Sequence, residues 1–129
     1  MAHLHDEGEL LVLGDAFDGR TVEVGLFDNS VDAIAEDSTY ADITTEPDGS
    51  DYTLQSVSNP SVYQNANEDA ELDLGDISFD VSDATTEVDY TFVRDADTGD
   101  LIFTGDMEQT FDLGSLDILD LTNVGMTLE

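Results

Sequence analysis

Tyr90-Thr91-Phe92-Val93-Arg94-Asp95-Ala96-Asp97-Thr98-Gly99-Asp100-Leu101-Ile102-Phe103-Thr104-Gly105 joins two runs of β-branched and aromatic residues through a short acidic segment that ends in glycine. Such runs fit a pleated, half-buried surface. Val88, Tyr90 and Phe92 line one face of the first run, and Leu101, Phe103 and Met107 belong to the second. The intervening Asp95 to Asp100 reads as a hairpin loop in which Gly99 takes up a positive φ.

The same two-residue period recurs on both sides of this hairpin. Thr21 to Phe27 alternates, with Val22, Val24 and Leu26 on one face and Thr21, Glu23 and Gly25 on the other. Gly25 marks a bulge or a close approach. Tyr52 to Val57 reads as another strand, stopped by Asn59-Pro60. Between Glu71 and Val81 the apolar set changes phase: Leu72 and Leu74 share one parity, Ile77, Phe79 and Val81 the other. A bulge at Gly75 would keep all five on the core side. The carboxy-terminal stretch, with Phe111 and Leu113, a break at Gly114-Ser115, then Leu116, Ile118, Leu119 and Leu121, and Val124, Met126 and Leu128 in alternation, supplies two or three more strands. The predicted fold is all-β: an antiparallel β-sandwich or jelly-roll-like barrel of about seven to nine short strands. Residues 1–20 are expected to be an N-terminal arm or edge strand, and residues 21–129 the β-sandwich domain. Asp28-Asn29-Ser30 offers helix-capping chemistry for about one turn, within a long acidic connection, residues 28–51, expected to add little core.

Composition sets the chemistry. The 129 residues include 32 Asp plus Glu against 2 Lys plus Arg, a net charge of -30. Disorder is a poor explanation, because 40% of the residues are hydrophobic and the apolar positions are periodic. A folded domain with this charge repels itself strongly at ordinary ionic strength, whereas molar salt shortens the screening length to about 3 Å. The composition therefore presumes a multimolar salt medium. It resembles proteins of halophilic archaea and their viruses. A DNA mimic is a lesser alternative, with carboxylates standing in for phosphates, but they run from Asp6 to Glu129 without clustering. Nucleic-acid binding is not expected, since no basic patch exists to release counterions. No apolar run approaches the roughly 20 residues that span a bilayer, so no membrane association is expected, and Met1 to Glu7 lacks the basic and apolar regions of a secretory signal.

Sites for chemistry are sparse. There is no cysteine, the two histidines are His3 and His5, and no Gly-x-Ser-x-Gly elbow or phosphate-binding glycine loop occurs. Carboxylate pairs are so abundant that none stands out as an acid-base pair. Asp95, Asp97 and Asp100 invite a calcium reading, but glycine and the last acidic position fall out of step with the helix-loop-helix pattern. Neither an enzyme nor a cofactor is expected. Phe79, Tyr90, Phe92, Phe103 and Phe111 lie at core parity, whereas Phe27, Val93 and Ile102 fall on faces otherwise given to polar residues and are the candidates for an oligomer or partner contact.

Two stretches resemble small structural proteins of tailed viruses, which decorate the capsid or complete a head or tail assembly. One is Val22-Glu23-Val24-Gly25-Leu26-Phe27-Asp28-Asn29 with the later Tyr40-Ala41-Asp42-Ile43-Thr44-Thr45-Glu46-Pro47; the other is the hairpin from Tyr90 to Gly105 with the strands that follow it. With the halophilic composition, the resemblance implies a structural protein of a haloarchaeal tailed virus. It would be located in the virion, assembled in the host cytoplasm, with other virion proteins, the major capsid protein first, as partners, and a homo-oligomer as its working state. The runner-up is a cellular haloarchaeal module that binds a carbohydrate or a protein.

Overall fold

The computed structural model describes residues 2–128. The strands are β1 (Thr21–Phe27), β2 (Gln55–Ser58), β3 (Ser61–Gln64), β4 (Ala70–Asp80), β5 (Glu87–Asp95), β6 (Leu101–Asp112) and β7 (Ile118–Leu128). They form a four-stranded sheet in the order β2-β1-β5-β6 and a three-stranded sheet in the order β3-β4-β7, with all pairings antiparallel. The fold is an all-β sandwich, as the alternation predicts. Val22, Val24 and Leu26 of β1 meet Leu72, Ile77 and Phe79 of β4 in the main core between the sheets.

The phase change in β4 is a bulge. Pairing with β7 shifts register between Asp73 and Gly75 and again between Gly75 and Ile77, and Gly75 has φ +79°. Leu72, Leu74, Ile77, Phe79 and Val81 all stay buried on the core side as a result. In the hairpin from β5 to β6, Gly99 N–H bonds to the Asp95 carbonyl and φ at Gly99 is +79°.

The first twenty residues depart from expectation. Asp6–Phe17 is a helix, α1, not an arm or an edge strand. Its buried side chains are Glu9, Leu13 and Phe17, spaced i, i+4, i+8, so one stripe packs against β3 and β4 while Leu11 and Val12 face out. The run Leu10 to Leu13 thus serves a helix of weak amphipathicity, which is why its period did not identify it. Asp6, Glu7 and Glu9 in the first turn suit the positive end of the helix dipole.

A second departure concerns β5. A register shift between Val88 and Tyr90 puts Val88 in the main core and turns Tyr90 and Phe92 to the opposite face. That outer face carries its own small core of Phe27, Ile43 and Phe92, flanked by Ile34, Tyr40, Leu54, Tyr90 and Leu101. The long connection between β1 and β2, expected to add little core, is what covers it.

Candidate interaction surface

That connection contains a single helical turn, α2 (Asn29–Asp32), and carboxylates hold it down. Asp28 caps α2 by accepting from Ser30 N–H at 3.0 Å. Asp32 accepts from the Thr44 and Thr45 hydroxyls at 2.6 and 2.7 Å and from Thr44 N–H at 3.0 Å. Partial burial works against ionisation of Asp32, yet these bonds keep its carboxyl below the usual range. Asp48 accepts from the Thr85 hydroxyl and Thr85 N–H, both at 2.6 Å, which together with Thr86 pulls its pKa down to about 2. Asp83 reaches back to Ser50 N–H at 2.6 Å and Asp51 N–H at 3.2 Å, bonds that lower its pKa as well. Carboxylates placed on backbone amides do here the work that regular pairing does elsewhere.

Polar side chains lock the covered face. Glu46 accepts from Tyr40 Oη at 2.6 Å and from Tyr52 Oη at 2.8 Å. Burial and then the Glu46 carboxylate push Tyr40 up to about 12 and raise Tyr52 further still. Arg94 lies over the Tyr40 ring, 4.4 Å from its centroid, and donates to Glu23 at 2.9 and 3.0 Å. Arg20 donates to Asp95 at 2.8 Å. Both cations of the chain are therefore engaged in ion pairs within it.

The three residues predicted to form a contact do not come together on a surface. Phe27 and Val93 are fully buried, Phe27 beneath the long connection and Val93 between the sheets, so neither offers a face to a partner. The cause is that both faces of the inner strands β1 and β5 are covered within one chain, so a polar neighbour in sequence does not signal solvent. Ile102 alone remains accessible, at 36%, beside a shallow groove of about 390 Å³ that includes Ile34 and Tyr90.

In the acidic hairpin loop, both Asp95 oxygens are occupied. Oδ1 accepts from Arg20, and Oδ2 accepts from Thr98 N–H at 2.9 Å and the Thr98 hydroxyl at 2.8 Å. Asp97 and Asp100 are exposed. Elsewhere Asp6, Glu9 and Asp69 each bring a carboxylate oxygen within 4.8 Å of the others; with 32 acidic residues in the chain, such proximity is what abundance produces.

Apolar alternation does not report how charge is distributed around the sheet edges. Charged residues make up 26% of the chain, yet none occurs from Tyr52 to Asn67. That stretch contains β2 and β3, which are the edge strands of their respective sheets and are joined at Asn59-Pro60. β6, the opposite edge of the larger sheet, carries Asp106, Glu108 and Asp112. The signal was present in the sequence as a gap in the charges; its location at two edges needed the strand order. Comparison of the chain with known families, with curated proteins and with solved structures returns no significant match, so function is read from its own residues.

Proposed function

We propose that this chain is a non-enzymatic structural subunit of a virion, a decoration or head/tail protein of a tailed virus that assembles in multimolar salt. The carrying observation is the division of its surface: carboxylates nearly everywhere, both cations spent on internal ion pairs, and one charge-free pair of sheet edges. A strongly hydrated sandwich whose charge-free stretch from Tyr52 to Asn67 supplies two sheet edges suits a part that is placed by protein contacts. With Arg20 and Arg94 engaged, no cation is left to grip phosphate, which speaks against a nucleic-acid role. Asp32, Asp48 and Asp83 point their oxygens at amides and hydroxyls of their own chain, which speaks against a phosphate-like array. The choice of a virion among possible assemblies rests on the likeness of the strand-and-loop and hairpin stretches to tailed-virus structural proteins. Intact particles purified from a hypersaline host lysate and analysed by mass spectrometry are expected to contain the chain in a fixed ratio to the major capsid protein. Absence from every particle, with the chain found only in the cell fraction, overturns the reading.

A further inference from the structure

We propose that residues 28–51 form an acid-released cover, a unit that lifts from the outer face of the four-stranded sheet while the sandwich beneath stays folded, uncovering Phe27 and Phe92. The way this connection is attached carries the inference. Among the described residues, no backbone-to-backbone hydrogen bond joins it to either sheet: Val31, Asp32 and Ala33 N–H bond to the Asp28 and Asn29 carbonyls, Ser38 N–H to Ala35, and Asp42 and Ile43 N–H to Thr39 and Tyr40. Side chains do the fastening. At one end Asp89 of β5 accepts from Asn29 N–H at 2.7 Å. At the other, Asp48 holds Thr85 and Thr86, Asp83 holds Ser50 and Asp51, and Ser82 Oγ donates to Asp51 at 3.1 Å. Between the two ends the Tyr40 ring lies against Arg94, and Ile43 and Pro47 are buried.

A segment held this way opens more easily than the sheets. It rests on a small core separate from the main one, and lifting it breaks no strand pairing. Acid acts on its fastenings, because a protonated carboxyl is a poorer acceptor for N–H groups. The Thr85 hydroxyl and N–H hold Asp48 down at about 2, against an ordinary 3.8, and Ser50 N–H, ahead of Asp51 N–H, holds Asp83 below its ordinary value. These bonds cross from the connection to the sandwich, so they exist only in the closed form. Their stabilisation is complete above about pH 4 and is lost as the pH falls toward about 2. Asp32 bonds to Thr44 and Thr45 inside the connection and does not depend on closure. No cation faces the seam. The connection brings Asp48 and Asp51 to it, and the segment between β4 and β5 brings Asp83, with Asp80 and Glu87 at its ends. Asp112 and Asp117 flank that segment, where Leu113 N–H bonds to the Thr86 carbonyl and Val81 N–H to that of Asp117. Multimolar salt screens repulsion among these carboxylates, so what acid changes at the seam is the bonds themselves.

Hydrogen exchange of the full chain in multimolar salt tests the cover without reference to any virus particle, so it can fail while the virion reading stands, and the reverse. Read by NMR as protection factors, it is free of the intrinsic pH dependence of exchange. At pH 6 the amides of Asn29, Ile43 and Ser50 should share one level of protection, about tenfold or more below the β4 amides paired with β7. Between pH 5 and pH 3 that shared level should fall about tenfold further while β4 holds. Asp83→Asn should lower all three about threefold to tenfold at pH 6, including Asn29 at the far end. Protection of the connection and of β4 falling together overturns the proposal, as does protection of the connection that ignores pH down to 3. A response to Asp83→Asn confined to Ser50 and Asp51 shows a local contact and refutes a unit. Should that variant misfold, the pH series on the unmodified chain decides: a common fall at Asn29, Ile43 and Ser50 supports the cover, and separate courses refute it.

Discussion

Phe92 lies across Gly25, its antiparallel partner in β1, so closely that a Cβ on Gly25 would overlap the ring and lie 2.7 Å from Leu54 Cδ2. The aromatic ring thus uses the space a side chain would fill and carries the small outer core over the neighbouring strand. Because Phe92 is fully buried, the ring has nowhere to retreat. Gly25→Ala is expected to destabilise the fold by about 1–3 kcal/mol through overpacking. Denaturant unfolding in high salt checks this; an unchanged midpoint would mean that the ring moves aside freely.

Arg94 ties the long connection to β5 through the Tyr40 ring as well as through Glu23. Lysine keeps the charge but loses the planar head group that stacks on the ring and forks to the carboxylate. Arg94→Lys should cost about 1 kcal/mol, with hydrogen exchange accelerating around Tyr40 to Glu46 before it does so in β4. Uniform acceleration across the sandwich would place Arg94 in global stability instead.

The acid limb of the stability curve should carry a contribution from Asp48. Its pKa of about 2 in the folded protein lies below the ordinary 3.8, so the unfolded chain binds more protons between those values. The stabilisation is then complete above about pH 4 and disappears as the pH falls toward about 2. Asp48→Asn should flatten unfolding curves over that window in multimolar salt and change little near neutrality beyond the loss of the charge-assisted bonds. A mutant curve parallel to the parent's across the window would remove Asp48 from the acid response.

Salt dependence follows from the net charge of -30. As salt falls from multimolar to about 0.1 M, the screening length grows to about 10 Å and the exposed carboxylates repel one another. Melting temperature followed by circular dichroism should drop steadily over that range. The same melting temperature in dilute buffer would contradict the halophilic reading.

For the loop after β5, the turn and a metal site make opposite demands. With Asp95 held by Arg20 and Thr98 and Asp97 exposed, Asp97→Asn should shift stability by less than about 0.5 kcal/mol. Gly99→Val places a β-branched residue at φ +79° and should cost about 1–2 kcal/mol or more, although the space beside Gly99 is open. Calcium titration by calorimetry in high salt should give no saturable heat; heat that vanishes in the Asp97 variant would show a metal site.

Much of the sandwich was legible in the amino-acid sequence by itself. Val22, Val24 and Leu26 declared a strand because side chains alternate across a sheet, the phase change around Gly75 declared a bulge because one extra residue reverses that alternation, and Gly99 declared a turn because a positive φ is cheap only without a Cβ. Tertiary structure decided the rest. Periodicity reports that a face is apolar but not what covers it, so Phe27 and Val93 read as candidate surface contacts until the acidic connection and the second sheet were seen to bury them. The helix Asp6–Phe17 escaped notice because its stripe buries a glutamate and leaves Leu11 and Val12 outside. The charge-free stretch from Tyr52 to Asn67 was written in the sequence as well, but only strand order makes β2 and β3 edges. Which strands lie at a sheet's edge is set by long-range pairing, and no local pattern of residues encodes it.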